Sequence, residues 1–322
     1  VSRRLLWLPI LLLLGLASFV LAMGWGSVVI DPFAAVSGRL PDWQSTILYD
    51  LRLPRAVAAF LVGGLLSVAG VLMQVLLRNP LAEPYVLGIS GGAAVAALGA
   101  ITLGLGSWWV SGSAFAGSLV SMVLVFVLGG HGGFGRGERL LLTGVVIAAG
   151  WGAVISLLLV LGPDQSLRGM LFWLMGDLSR VASPGWALVP LVLGGVLAFA
   201  LAPALDILAR GDDQAAALGV EVTRVRWACY LTASLLTACA VTLAGPIGFV
   251  GLVVPHLMRQ WLGAGHRVLL PASLLAGGAL LVVADTAARS VLAPRQLPVG
   301  VLTAAVGIPL FLYLLRRRSV GG

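Results

Sequence analysis

The chain has 322 residues, of which 60% are apolar and 10% charged, less than half the charged share usual in a soluble domain. A soluble fold could not hide that much apolar surface, and the mean hydropathy of +1.06 agrees. All 20 basic residues behind the net charge of +8 are arginines, which excludes a lysine-dependent phosphate loop and lysine Schiff-base chemistry.

What remains is an all-α polytopic membrane protein, read as a single transmembrane domain over residues 1–322. Apolar runs of ~20 residues predict about ten transmembrane helices. They fall at roughly 5–24, 54–77, 84–105, 108–128, 139–161, 185–205, 225–245, 246–262, 268–288 and 297–315. The first follows Arg3 and Arg4 but lacks a small-residue cleavage pattern, so it reads as an anchor rather than a signal peptide. Ten spans put both termini on one side. If that side is cytoplasmic, it collects 13 of the 20 arginines, as the orientation rule for membrane loops requires. The arginines are scattered between apolar runs, which points to membrane lipid as their partner and not to nucleic acid.

The segment Leu51-Arg52-Leu53-Pro54-Arg55 is predicted to open the second span from outside. Pro54 suits a first helical turn, but arginines at a helix N-terminus oppose the macrodipole. An acidic partner outside is therefore expected for Arg52 and Arg55. Gly63, Ser67 and Gly70 recur along one face of that span, and Gly88 and Gly92 along the next; such faces let helices approach closely in lipid. In Arg78-Asn79-Pro80-Leu81-Ala82-Glu83-Pro84 two prolines bracket a tight, stiff reversal.

The outer segment Gly162 to Pro184 carries Arg168, Met170, Phe172, Trp173, Met175, Asp177 and Arg180. It has two readings: a surface for an amphipathic macrocycle, or belting at the membrane interface. Gly211-Asp212-Asp213-Gln214-Ala215-Ala216-Ala217-Leu218-Gly219 reads as a short helix with an acidic start and a glycine stop. At one or two turns it cannot span a membrane, which leaves a docking helix or an ordinary linker. Cys229 and Cys239 lie about 15 Å apart along one helix, too far to bridge. Between Gly245 and His256 glycines and prolines break an apolar stretch into half-spans, which membranes tolerate where protein covers the freed backbone. Asp285 is the main charge inside a span, with Arg289 one turn on as its expected partner. His131, His256 and His266 are all predicted at or beside cytoplasmic loops. That leaves a proton-coupled mechanism little to run on.

Several ordered motifs then carry a resemblance. They are LRLPR at 51–55, GVLMQ at 70–74, RNPLAEPYVLGISGGA at 78–93, GDDQAAALGV at 211–220, GPIGFVGLVVPHLMR at 245–259, HRVLLPASLLAGGALLVVAD at 266–285 and LPVGVLTAAVGIPLF at 297–311. Over residues 50–315 the chain resembles the permease subunits of type II ABC importers, which take up iron-siderophores, haem and cobalamin. It departs at Gln296, where that family often has Glu, and in the alanine-rich middle of the 211–220 segment.

The resemblance implies a ten-span homodimer in the bacterial inner membrane, driven by two ATP-binding cassette subunits and supplied by a periplasmic binding protein. Gly211, Asp212, Asp213, Ala215, Leu218 and Gly219 would then belong to the coupling helix between spans six and seven. Asn79 and Leu81 would lie at the cytoplasmic gate, and Arg52, Arg55 and Arg289 would face the binding protein. No catalytic residue, cofactor or metal site is implied in the chain itself. The cargo would be a chelated metal or tetrapyrrole, because no His/Cys/Met cluster suggests ligation of a bare ion. The alternative is an ion-coupled transporter or exporter without an ATPase. A membrane enzyme fails for want of paired carboxylates or a Ser/His/Asp set within the spans.

Overall fold

The computed structural model describes residues 6–26, 28–129, 137–179, 181 and 183–319; Arg3, Arg4, His131, Arg136 and Arg180 lie outside the described residues. Among the described residues every regular element is helical. Helix α1 (Trp7–Gly24) is followed by two short helices, α2 (Pro32–Val36) and α3 (Asp42–Thr46). A π-helical stretch, Ile47–Arg52, joins α3 to α4 (Leu53–Leu76), so one rod runs from Asp42 to Leu76. After a 3₁₀ turn at Pro84–Leu87 come α5 (Ile89–Thr102), α6 (Ser107–Gly129), α7 (Gly137–Leu161) and α8 (Asp164–Leu174). A second 3₁₀ turn, Gly185–Ala187, leads into α9 (Leu188–Ala200) and α10 (Ala202–Leu208), which meet at a 60° bend. Pro203 in the first turn of α10 has no N–H to continue the ladder of α9. The chain closes with α11 (Asp212–Ala217), α12 (Val222–Ala244), α13 (Val250–Leu262), α14 (His266–Ser290) and α15 (Val299–Ser319).

Each of the ten predicted apolar runs contains a helix. Six are long and apolar enough to cross a membrane: α1, the Asp42–Leu76 rod, α6, α7, α12 and α14. The bent α9–α10 pair makes a seventh if it is one span. Helices α5, α13 and α15 carry the remaining three runs, with 14 residues in α5 and 13 in α13. One expectation is corrected. Residues 51–55 do not begin a helix but lie inside the Asp42–Leu76 rod, so Arg52 and Arg55 are not at a helix N-terminus and the macrodipole does not oppose them there. Pro54 cannot donate to the preceding turn, and that turn is the π stretch.

Helix α4 is the central pillar, packed against α12, α13 and α14, while α5 packs on α6 and α7. Of the most apolar stretch of the rod 89% is buried, against 6% for α7. Lipid tails are as apolar as leucine, so helices associate here through close packing rather than through the hydrophobic effect. The small residues supply that closeness. A Cβ on Gly70 would lie 1.8 Å from the Gly251 carbonyl oxygen, and one on Gly63 2.2 Å from that of Gly277. Gly92 and Gly117 bear the same relation, at 2.4 and 2.2 Å from each other's carbonyl oxygen. Gly70→Ala must therefore push α4 and α13 apart, at about 1–3 kcal/mol. Gly99, with no atom within 4 Å of an added Cβ, is the control. Thermal unfolding in detergent is expected to place Gly70→Ala well below the parent and Gly99→Ala level with it.

Candidate functional site

The residues singled out in the sequence gather at the two ends of α4, about 36 Å apart along 24 residues. At the first end Arg55 points inward. Its Nε donates to Asp285 Oδ2 at 2.8 Å and its Nη2 to Asp285 Oδ1 at 2.8 Å, a two-pronged ion pair joining α4 to α14. Arg55 Nη1 donates to Gln296 Oε1 at 2.7 Å. Arg52 donates from Nη1 to the Met23 carbonyl at 2.6 Å and from Nη2 to that of Val28, while Arg289 Nη2 donates to the Ala22 carbonyl. Together with Trp25 N–H on Leu21 and Ile30 N–H on Gly24, these bonds satisfy all four carbonyls that the C-terminus of α1 leaves without helical partners. Cations at a helix C-terminus also suit its dipole.

Three expectations change accordingly. Arg52 is 5% and Arg55 9% exposed, so they do not project as basic knobs, and their partners come from within the chain rather than from outside. Asp285 pairs with Arg55, whose planar fork fits both carboxylate oxygens, while Arg289, one turn along, turns to α1. His256 is no loop residue: it is buried within α13, its Nε2 2.9 Å from Gln260 Nε2. His266 does start a helix, and its backbone N–H donates to Asp206 Oδ1 at 2.9 Å, with its Nδ1 at 2.6 Å from the same oxygen.

At the other end lies the short helix α11. Gly211 enters it at φ 127° and Gly219 leaves it at φ 81°. Val220 N–H donates to Ala215 and Gly219 N–H to Ala216, at 2.9 and 3.0 Å, the paired bonds of a glycine-terminated helix end. Ala215 is fully buried, whereas Asp213 and Gly219 are exposed and Leu218 stands out at 65%. Asp212 Oδ2 receives the Arg78 guanidinium and, at 3.3 Å, Arg226 Nη2. Arg78 ends α4, so the predicted coupling helix and the Asn79–Leu81 turn are joined by an ion pair that the sequence reading missed. Asn79 Oδ1 accepts the Leu81 N–H at 2.9 Å, which stiffens the turn.

The same turn reaches the broken stretch between α12 and α13. Glu83 Oε1 accepts the N–H of Phe249 at 2.8 Å, and Tyr85 Oη accepts that of Ile247 at 3.0 Å. The bonds freed by the break are thus returned by side chains, as membrane burial demands. Burial pushes the Glu83 carboxyl above its usual range, and the Phe249 N–H opposes that only in part. Of the outer segment, Met170 is buried and Trp173 packs against Ala93, Ala97, Ala114 and Val241. Asp177 is tied to Ser179. Arg168, 5.7 Å above the Phe172 ring, and Met175 remain exposed.

Comparison with known proteins decides the family. Residues 10–317 match the profile of the FecCD transport family. The chain belongs to the FecCD transport family. Among its FecCD relatives, the cobalamin import system permease protein BtuC of Halobacterium salinarum is 42% identical over 299 residues, covering 92% of this chain and 80% of its own. The Fe(3+) dicitrate transport system permease protein FecD of Escherichia coli is 40% identical over 319 residues, covering 95% and 96%. A solved chain described as a metal-chelate type ABC transporter in an inward-facing conformation superimposes with a TM-score of 0.85 at 32% identity, covering 96% of this chain and 98% of its own.

Two expected outcomes follow for this FecCD chain. Arg55→Met leaves Asp285 buried and unpaired, which costs about 3–5 kcal/mol, and adding Asp285→Met is expected to recover most of that; unfolding of both variants in detergent measures it. Glu83 holds its proton to higher pH when folded. Its contribution to stability is therefore full below the ordinary value of 4.5 and declines as pH rises through the elevated one. Glu83→Gln keeps an oxygen for the Phe249 N–H and removes the decline, so it should match the parent at pH 4 and exceed it at pH 8.

Proposed function

We propose that this chain is the membrane-spanning subunit of an ATP-driven importer for a chelated metal or tetrapyrrole: haem, cobalamin or an iron-siderophore. It works as a homodimer in the bacterial inner membrane, with two ATP-binding cassette subunits and a periplasmic binding protein. The observation that carries this reading is α11, too short to span anything, anchored by Ala215 and Asp212 yet presenting Leu218 to solvent. An apolar side chain held outward on a pinned helix is what a partner subunit needs as a docking contact. The names of the relatives supply the cargo class, since they import cobalamin, ferric dicitrate and haemin.

The ten-crossing reading adds α5, α13 and α15 to the seven longer candidates, with both termini cytoplasmic. On that topology α11 and the Asn79–Leu81 turn share the cytoplasmic side. The open face of α7, where Gly150 and Gly152 meet nothing within 4 Å, supports a second copy packed there, with the path between the two. Arg52, Arg55 and Arg289 serve the binding protein indirectly, by fixing the outer end of α1 against α4 and α14. An ion-coupled mechanism needs a membrane carboxylate able to exchange its ion, and Asp285 is committed to Arg55.

Leu218→Asp places a charge in the docking contact, at a cost of several kcal/mol where it is buried unpaired. Co-expressed ATPase subunits are expected to purify with the parent chain. In the variant, transport and stimulated ATP hydrolysis should fall together while the dimer persists on size-exclusion chromatography. Normal stimulation in the variant would remove α11 from the coupling role.

A further inference from the structure

Among the described residues, Arg78 and Phe249 are the two non-glycine residues with φ in the left-handed region, at 47° and 71°. For Arg78 the cause lies in the helix end. Its N–H donates to Val75 and that of Asn79 to Gln74, each at 3.1 Å. These are the paired bonds that glycine normally completes, because a Cβ is strained there. An arginine in a glycine's position invites a search for what its side chain does. Here the guanidinium sits on Asp212, the first residue of α11, and Arg226 of α12, 2% exposed, contacts the same carboxylate oxygen.

We propose that Arg78 is a positioning residue that transmits displacement of α11 to the turn bearing Asn79 and Leu81, with Asp212 as the link and Arg226 as its fixed abutment. The inference rests on the importer reading given above. Every step in the linkage is a contact already described. Asp212 moves with α11, Arg78 grips it, the helix end fixes Arg78 beside Asn79, and Asn79 holds Leu81 through its side chain. The far side of the turn is tethered at Phe249 and Ile247. A pull on Arg78 therefore rotates the turn about that tether instead of carrying it away. Arg226 presents its charge to Asp212 from a helix packed on α4, so the carboxylate has one partner that moves with the turn and one that stays with the bundle.

Arg78→Gly separates this role from folding. Glycine relieves the strain at φ 47° and keeps both backbone bonds, so stability and assembly with the ATPase subunits should stay at the parent level or rise. The readout is disulfide crosslinking between Leu81→Cys residues of the two protomers, in the assembled complex, with and without a non-hydrolysable ATP analogue. In the otherwise unchanged chain crosslinking should depend on nucleotide. Adding Arg78→Gly, or Asp212→Asn, should cut that dependence about tenfold, within the range of ordinary coupling free energies. If Leu81→Cys responds to nucleotide equally with and without Arg78→Gly, the linkage is wrong and the importer reading stands. If Leu81→Cys responds to nucleotide in neither background, the gate assignment falls and takes this inference with it.

Discussion

The backbone contact of α4 with α13 and α14 is the constraint on which the other arrangements depend. At Gly63, Ser67 and Gly70 the neighbouring helices come so near that a methyl group would overlap a carbonyl oxygen or a hydroxyl. Inside lipid no hydrophobic effect draws one helix to another, so van der Waals contact over small residues has to do it. A pillar gripped in this way is stiff along its length. Its two ends can then be built to tight tolerances, and both ends are built from charge.

At one end the charges close the fold. Arg55 spans α14 and the segment after it, and Arg52 and Arg289 finish α1. At the other end they tie the short helix α11 to α4 and α12. Apart from Leu218, the exposed side of α11 is polar or bare, and its hold on the bundle comes from Ala215 and from the carboxylate of Asp212. This difference in construction suits a static clasp at one end and a movable joint at the other. Glu83 and Tyr85 extend the joint to the break between α12 and α13, where a continuous helix would have needed no side-chain acceptors.

Local features were legible in the sequence and long-range ones were not. The glycines at 211 and 219 announce their own positive φ, and the small-residue spacing of α4 announces close packing without naming the partner. The span positions follow from apolar runs that need no knowledge of neighbours. By contrast, Arg55 finds its partners 230 and 241 residues away, so a local reading of Asp285 reached only Arg289, one turn on, and missed the direct ion pair. The beginning of the helix that carries the 54–77 run was misplaced because Pro54 reads locally as a start, whereas the π stretch Ile47–Arg52 joins that helix to α3 ahead of it. The helix-ending role of Arg78 hides for a similar reason: sequence patterns look for glycine there. His256 was read as lying at or beside a loop although the run 246–262 contains it, and α13 carries it buried within a helix.

The exclusive use of arginine acquires a physical sense at the α1 end. Arg52, Arg55 and Arg289 place three cations near a single carboxylate, Asp285, with a neutral amide, Gln296, where an acid would have added balance. The remaining compensation comes from backbone oxygens at the end of α1, which together resemble about half a negative charge. Those oxygens lie in different directions and belong to different residues. A guanidinium offers five N–H groups in a fixed plane, so Arg52 can serve Met23 and Val28 at once, and Arg55 can hold a carboxylate on one edge and an amide on another. An ammonium is a strongly hydrated point charge with three donors; it could neutralise Asp285 but not bridge two segments in this way. The clasp therefore depends on hydrogen-bond geometry as much as on charge. Replacing Gln296 by an acid would change its electrostatic balance without changing the helices it joins.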